Sequence, residues 1–271
     1  MNIKKLGFEA DHLSFDTYRR LSNILDDSDP QMHLVPISGF VEHMRAVKEP
    51  CEIELITKAI AISDTVMDGV VAEIIPGMTE EDIAWKIERS LRDNSSQALP
   101  FEVIVAAGAN AALPHARPSG HIIEKGEPIV IDIGARVQGY CSDLSRTICT
   151  GAFDDTFRKV YGVVLEAQTA AINGIKEGMT GVQADALARE VIKRAGYGEN
   201  FGHSLGHGIG LAPHEKPHLG SSSEDVLVNG MVFTIEPGIY ISGWGGVRIE
   251  DTVAMENGRI RVLSQAQKME V

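Results

Sequence analysis

The sequence has no long apolar run and a shortage of basic residues. The chain contains no run of about 18 apolar residues, the length needed to cross a membrane. Its opening, MNIKKLGFEADHLSF, lacks the apolar core of a signal peptide. The 25 lysines and arginines are outnumbered by 38 aspartates and glutamates, and the resulting charge of -13 would repel a nucleic acid backbone. We therefore expect a cytoplasmic protein with no membrane and no nucleic acid partner.

Cysteine is also scarce in this chain. The three cysteines are Cys51, Cys141 and Cys149, and no two of them have the CxxC spacing of a redox or zinc motif. We expect reduced, structural thiols and no disulfide framework. Apolar residues, in contrast, make up 44% of the 271 residues, which is enough for one large core or two smaller ones.

Two segments about 100 residues apart resemble each other. Residues 75–91 (IPGMTEEDIAWKIERSL) and 176–192 (KEGMTGVQADALAREVI) both contain Gly-Met-Thr followed by an apolar-periodic run. In each, the threonine is a good helix N-cap, and a side chain three residues later, Asp82 or Gln183, can complete a capping box. A helix is therefore predicted to begin after Thr79 and another after Thr180.

The similarity continues along each half of the chain. LPHARP at 113–118 corresponds to APHEKP at 212–217, and KGEPIVIDIG at 125–134 corresponds to NGMVFTIEPG at 229–238. Apolar residues at helical spacing precede both copies, so each half is predicted to consist of two helices followed by strands.

Four acidic residues occupy matching places in the two halves. Asp132 and Asp143 are eleven residues apart, which fits two antiparallel strands joined by a hairpin-like connection, and Glu236 and Glu250 repeat the theme. If the halves fold alike, these carboxylates meet, and close like charges are costly unless a cation compensates them. Oxygen ligands with an imidazole suit manganese, cobalt, iron or zinc.

Five motifs stand in order between residues 46 and 271: IDIG with Asp132, GYCSDLSRT with Asp143, GHGIG with His207, TIEPG with Glu236 and VRIEDT with Glu250. Together they resemble the metal-ligand motifs of the pita-bread metallopeptidases, the family of methionine aminopeptidase, aminopeptidase P and prolidase. The resemblance implies an α+β pita-bread fold of two pseudo-symmetric halves, with a curved, mainly antiparallel sheet inside and helices outside.

The same resemblance implies two divalent metal ions, with manganese expected first and cobalt or zinc as alternatives. Asp143 and Glu250 would bridge both ions, Asp132 would bind one, and His207 with Glu236 would bind the other. A water activated between the ions would attack a peptide carbonyl, and Glu236 would carry a proton to the leaving nitrogen.

Three further histidines resemble the outer histidines of the family. His214 stands where the family hydrogen-bonds the scissile carbonyl, and His115 and His203 resemble residues on the side of the leaving proline. Arg248 and Tyr240 resemble residues that prolidases and aminopeptidases P carry at these positions. An enzyme that cuts Xaa-Pro peptide bonds is therefore expected, as a dipeptidase or an aminopeptidase. The alternatives are a methionine aminopeptidase and a pita-bread module that binds partners without catalysis.

Residues 1–45 resemble the last helix and linker of the N-terminal domain of the Xaa-Pro enzymes, and residues 46–271 resemble the catalytic domain. The interpretation is that 1–45 is the remnant of a domain whose earlier part is absent. Within it, SFDTYRRLSNIL predicts a helix with an apolar stripe of Phe15, Tyr18, Leu21 and Leu25. The stripe would pack on the catalytic domain, pair with a second chain in a homodimer or stay mobile.

Overall fold

The structure, a computed structural model, describes residues 3–28 and 31–271, and the chain divides into two compact units between Met44 and Arg45. The elements at the start of the chain are β1 (Lys5–Glu9), α1 (Phe15–Ser28), β2 (His33–Ile37) and α2 (Phe40–Ala46). Strands β1 and β2 pair in parallel, with α1 as the connection between them. The helix predicted in SFDTYRRLSNIL is confirmed, and the ring of Tyr18 in its stripe lies 5.2 Å from that of Phe8 in β1.

The second unit consists of two halves, each with two helices followed by strands. The first half contains α3 (Pro50–Val71), α4 (Glu80–Asp93), β3 (Ile104–Ala107), β4 (Pro128–Ile133), β5 (Arg136–Val137), β6 (Tyr140–Cys141) and β7 (Leu144–Cys149). The second half contains α5 (Asp155–Gly174), α6 (Gly181–Arg194), β8 (Gly206–Gly208), β9 (Glu215–Leu219), β10 (Val232–Ile235), β11 (Gly238–Ile241), β12 (Gly245–Arg248), β13 (Asp251–Glu256) and β14 (Arg259–Val262).

The strands of the two halves follow the same antiparallel arrangement. In the first half β4 lies between β3 and β7, and in the second half β10 lies between β8 and β13, with β9 and β14 at the edges. A short hairpin separates the two long strands in each half, β5–β6 in the first and β11–β12 in the second. The predicted repeat of two helices followed by strands is therefore confirmed.

The second helix of each half begins at the predicted threonine. Thr79 accepts a hydrogen bond from Asp82 N at 3.0 Å, and the Asp82 carboxylate accepts one from Thr79 N, which completes the capping box. Thr180 and Gln183 form the same box at the start of α6. Within residues 3–28 and 31–271, no helix is long and apolar enough to span a membrane.

Each half buries its own apolar core between its helices and its sheet. Ile83 and Leu91 of α4 pack with Ile131 of β4 in the first half, while Phe157 of α5 packs with Phe233 of β10 in the second. The cores hold the helices on the outer face of the strands and leave the inner ends of the strands available for polar side chains. This is the layered arrangement expected of an α+β domain.

The halves join along the seam between β7 and the chain around Glu250. Glu250 N donates to Ser145 O at 3.1 Å, and the Thr252 hydroxyl donates to Asp143 O at 2.9 Å. Ser145 and Thr252 each stand two residues after an acid of their own half. The seam therefore brings the acids of both halves to one place.

The capping boxes provide a test of the fold. Replacing Thr79 with alanine removes the side-chain acceptor at the start of α4, so we expect the free energy of unfolding to fall by about 1 kcal/mol. Thr57 provides the control because it lies on the exposed face of α3 and its hydroxyl donates to Ile53 O. Its replacement by alanine should change stability by less than about 0.5 kcal/mol. Urea unfolding of the metal-free protein measures both. Equal losses in the two variants would contradict the capping role.

Candidate active site

The four acidic residues of the repeat meet at the seam between the halves. Asp132 lies in β4, but Asp143 immediately precedes β7, Glu236 immediately follows β10, and Glu250 lies between β12 and β13. The sequence predicted a strand position for all four. Pro237 has no N–H to continue a ladder, so the chain leaves β10 at Glu236 and turns into the short hairpin.

The carboxylates are close together and shielded from solvent. Asp132, Asp143 and Glu250 each offer one oxygen, and these oxygens lie within 4.8 Å of one another. Asp143 and Glu250 are buried, and the pKa of both is raised well above the usual range. Burial is the larger cause, and repulsion by the neighbouring carboxylates adds to it. The site is therefore under electrostatic strain that a cation would relieve.

His207 connects Glu236 to this group of three. Its Nδ1 donates to Gly208 O at 3.1 Å, which directs Nε2 toward the carboxylates. Nε2 lies 3.2 Å from Glu236 Oε1 and 3.7 Å from Asp143 Oδ2. Although burial opposes the charged form of each group, the contact between them raises the pKa of His207 and holds that of Glu236 below its usual value. An imidazole nitrogen and carboxylate oxygens at these distances are donors of the kind that divalent ions bind.

The glycines on either side of His207 are required by neighbouring backbone. A Cβ at Gly206 would overlap the carbonyl oxygen of Thr234, and one at Gly208 would overlap that of Lys216. The GHG sequence therefore lets β8 run between two close strands with only the imidazole projecting from it.

Protein donors occupy one oxygen of each of two acids. Arg248 Nη2 donates to Asp132 Oδ2 at 2.6 Å, and the Ser145 hydroxyl donates to Glu250 Oε2 at 2.7 Å. The other two oxygens, Asp132 Oδ1 and Glu250 Oε1, are buried without a hydrogen-bond partner among the described residues. Unpaired buried carboxylate oxygens beside an imidazole nitrogen fit a divalent cation site.

A directed chain of hydrogen bonds forms one wall of the site. Arg248 Nη1 donates to Tyr240 Oη at 2.9 Å, and Oη lies 2.9 Å from His203 Nε2. His203 Nδ1 lies 2.8 Å from Ser204 O, so Nδ1 carries the proton and Nε2 accepts from the tyrosine. Burial lowers the pKa of His203, which favours this neutral tautomer.

The acids stand at the base of a cavity of about 520 Å³. His115 and His214 line its walls and are exposed to solvent, and the His214 ring lies 4.1 Å from that of His207. Glu102 and Arg117 form a solvent-exposed ion pair at 3.0 Å on the cavity wall. The residues selected from the sequence therefore line one cavity, except Tyr240, which is buried and bonds to two lining residues, His203 and Arg248.

Several residues of the site were not selected from the sequence. Ser145, two residues after Asp143, bonds to Glu250. Thr234, two residues before Glu236, bonds to Glu236 itself. The period of two along a strand, which puts such residues on one face, could have identified both. His218 pairs opposite His207 between β8 and β9 and also lines the cavity, and only the strand register reveals it.

The contacts of Glu215, which hold the loop that carries His214, were also not predicted from the sequence. The next residue, Glu215, accepts from Ala212 N at 2.9 Å and from Lys48 at 3.3 Å, and it also bonds Arg45. The Lys48 side chain is 1% exposed, and burial lowers its pKa. These partners lie about 170 residues apart in sequence, so no local pattern points to them.

The sequence profile of metallopeptidase family M24 matches residues 54–257. The chain belongs to this family. A profile of the creatinase/prolidase N-terminal domain matches residues 1–47 of the same M24 protein. The expectations of a metallopeptidase and of the pita-bread fold are thereby confirmed.

Named relatives resemble this M24 protein along nearly all of its length. It is 40% identical to the Xaa-Pro dipeptidase of Pyrococcus furiosus over 99% of this chain and 76% of the relative. A solved Xaa-Pro dipeptidase from Bacillus anthracis is 42% identical with a TM-score of 0.93, covering 98% of this chain and 74% of that one. A solved X-Pro aminopeptidase from Thermotoga maritima is 40% identical with a TM-score of 0.90, covering 98% and 75%.

Electrostatic strain in the acidic group leads to a test. Replacing Asp143 with asparagine removes one buried like charge, so the metal-free variant should melt about 2–4 °C above the wild type. The same change removes a candidate ligand. Manganese at a hundred times its dissociation constant should stabilise the wild type by about 2.7 kcal/mol. The same concentration should have little effect on the stability of the variant.

Glu102→Gln is the control because it removes one charge from an exposed carboxylate of the same cavity wall. Its melting temperature should match that of the wild type with and without manganese. A metal-free Asp143→Asn protein that melts lower than the wild type and still gains full stability from manganese would contradict the interpretation of the cluster. Differential scanning calorimetry after chelation and after reconstitution makes the comparison.

Proposed function

We propose that this M24 protein hydrolyses Xaa-Pro peptide bonds with the help of two divalent metal ions. The observation that carries the proposal is the buried acidic group beside the wall of Arg248, Tyr240 and His203. It stands in a chain about 40% identical to relatives named Xaa-Pro dipeptidase. A peptide with proline at its second position is the expected substrate, cut as a dipeptide or as the start of a longer chain.

The metal ions would be held by the five residues that converge at the base of the cavity. Asp143 and Glu250 are assigned as ligands shared by both ions, Asp132 as a ligand of one, and His207 and Glu236 as ligands of the other. When bound, such ions supply a nucleophilic water at neutral pH and neutralise charge that develops on a carbonyl oxygen. Manganese is the ion expected first, with cobalt or zinc as alternatives.

Two residues of the chain act on the reacting peptide in this proposal. His214, which is exposed on the cavity wall beside His207, is assigned to donate a hydrogen bond to the scissile carbonyl oxygen. Glu236 Oε1 is already engaged by Thr234 and faces His207, so Oε2 is the oxygen assigned to carry a proton to the leaving nitrogen. That proton is essential, because the nitrogen of proline leaves as a secondary amine.

In this proposal the side of the cavity lined by His115, His203 and Arg248 receives the proline. His115 and His203 are assigned to this wall together with Tyr240, whose hydroxyl is held between His203 and Arg248. Arg248 is fully enclosed and its pKa stays well above the usual value, because the nearby Tyr240, Asp132 and Glu236 outweigh the effect of burial. The arginine therefore keeps its charge at any working pH and fixes the position of the tyrosine.

The cytoplasm is the compartment expected for this activity. All three cysteines are free, which suits a reducing environment. The acidic chain is expected to act on a small peptide with no nucleic acid or membrane partner. A homodimer is the assembly expected from the resemblance.

Substrate preference tests the proposed reaction. The protein reconstituted with manganese should cleave Ala-Pro or Ala-Pro-Ala with a kcat/KM at least about 100-fold higher than for Ala-Ala or Met-Ala-Ser, because the wall is assigned to a proline ring. A chelator should abolish the reaction, and added manganese should restore it. Amino-acid analysis of the products measures the rates.

The outcomes separate the alternatives. Preferential cleavage of Met-Ala-Ser would identify a methionine aminopeptidase and overturn the proposal. Tight manganese binding with no cleavage of any of the four peptides would identify a binding module. Cleavage of Ala-Pro without Ala-Pro-Ala would identify a dipeptidase, and cleavage of both an aminopeptidase.

The Tyr240 hydroxyl tests the role of the wall. Tyr240→Phe removes the atom that joins Arg248 to His203 and with it two hydrogen bonds, so kcat/KM for Ala-Pro should fall at least about tenfold. Metal content should not change. Tyr140→Phe is the matched control because Tyr140 bonds Glu52 at 2.7 Å outside the cavity wall, and its kcat/KM should equal that of the wild type. Equal losses in the two variants, or lost metal in Tyr240→Phe, would argue against the assigned role.

A further inference from the structure

A glutamine is buried beneath the acidic group, on helix α5. Gln168 is 0% exposed, and its Nε2 lies 3.3 Å from Ile235 O, 3.2 Å from Ile249 O and 3.2 Å from Asp251 Oδ2. A buried amide in an apolar helix face is destabilising unless its polar atoms find partners. The residue is therefore held at a place where polar atoms of the sheet need a donor.

The orientation of this amide is fixed by its surroundings. Three oxygens surround Nε2, and rotating the amide would turn Oε1 toward those oxygens and repel it. Oε1 itself is buried without a hydrogen-bond partner among the described residues. Gln168 thus leaves its acceptor unpaired while its two N–H groups are shared among three oxygens, which marks donation as the property that matters at this position.

The atoms that Gln168 contacts belong to the segments that carry two candidate ligands. Ile235 directly precedes Glu236, and Ile249 directly precedes Glu250. One amide therefore ties together the two turns from which these carboxylates project. We infer that Gln168 is a positioning residue that sets the separation of Glu236 and Glu250 and thereby the affinity of the site for metal, an inference that rests on the ligand set proposed above.

The third partner of the amide is itself held in place by two cations, the buried Arg146 and the partly exposed Lys268. Asp251 Oδ1 accepts from Arg146 Nη2 at 2.9 Å, and Asp251 Oδ2 accepts from Lys268 at 2.7 Å. Arg146 also donates to Glu250 O and to the carbonyls of Ala266 and Gln267 near the end of the chain. Gln168 is thus the link between this buried network and the turn at Glu236.

The other half of the chain contains a corresponding contact. Ser63, buried on α3, has its Oγ 2.6 Å from that of Ser142, the residue directly before Asp143. The Ser142 hydroxyl also accepts from Ala135 N at 2.9 Å, just beyond the strand of Asp132. In both halves, a polar side chain on the first helix supports the residue that precedes the second acid. This agreement supports a positioning role for Gln168.

Gln168→Met tests the inference because it keeps the length of the side chain and removes its donors. The variant should bind manganese with a dissociation constant raised about tenfold or more, the effect usual for loss of an outer-shell partner. Its activity on Ala-Pro should be low at limiting manganese and recover at excess. Competition with a chromogenic chelator measures the affinity without reference to catalysis, and urea unfolding measures the stability of the metal-free protein.

Tyr161→Phe is the matched control on the same helix. It removes the hydrogen bond that Met269 N donates to the Tyr161 hydroxyl at 2.8 Å but no hydrogen bond to either turn, so the variant should lose stability and keep the manganese affinity of the wild type. Gln168→Asn, whose amide is one methylene shorter, replaces the methionine variant if that one fails to fold, and it should weaken manganese binding at least about threefold.

The inference would be overturned if the folded Gln168 variant bound manganese as tightly as the wild type. It would also be overturned if the variant lost no more manganese affinity than Tyr161→Phe. A wild-type protein that binds no manganese would instead overturn the proposed metal site. The two failures are therefore distinguishable in one titration series.

Discussion

Four carboxylates from two halves of one chain meet at one site where two of them are buried, and their mutual repulsion is the constraint on which the rest of the second unit depends. Burial and neighbouring acids raise the pKa of Asp143 and Glu250 well above their usual values. Such an arrangement is stable only if the surrounding structure holds the acids together or a cation compensates them. The cores of both halves, their capped helices and the seam at Ser145 supply the first of these conditions.

The repeat explains how so many acids reach one place. Each half contributes a long strand, an acid, a short hairpin, a second acid and a second long strand, and the paired strands bring the two acids of each half together. The seam hydrogen bonds of Ser145 and Thr252 then join the second acids of the two halves. No single half contains a complete site, so the chemistry depends on the packing of one half against the other.

The parts of this arrangement that are local in sequence could be predicted, and the parts that depend on tertiary contacts could not. Thr79 and Thr180 were predictable as helix starts because a capping box involves residues three apart. The exit of the chain from β10 at Glu236 was misassigned because alternation of apolar residues does not show where a ladder ends. Gln168 was not identified, because one polar residue in an amphipathic helix gives no signal until the sheet beneath it is known.

The two halves differ in how they compensate equivalent acids. Asp132 is paired with Arg248, a permanent cation, whereas its counterpart Glu236 faces His207, an imidazole that can lose its proton. The charge on His207 depends on its proton, whereas the charge on Arg248 is permanent. Arg248 occupies Asp132 Oδ2, so only Oδ1 is left without a protein donor among the described residues. Pseudo-symmetric backbones thus produce two unequal sides, one with a titratable imidazole and one with a fixed positive charge beside the proposed proline wall. The two sides of the site therefore differ in charge and can orient a bound peptide, although the two halves of the fold are nearly symmetric.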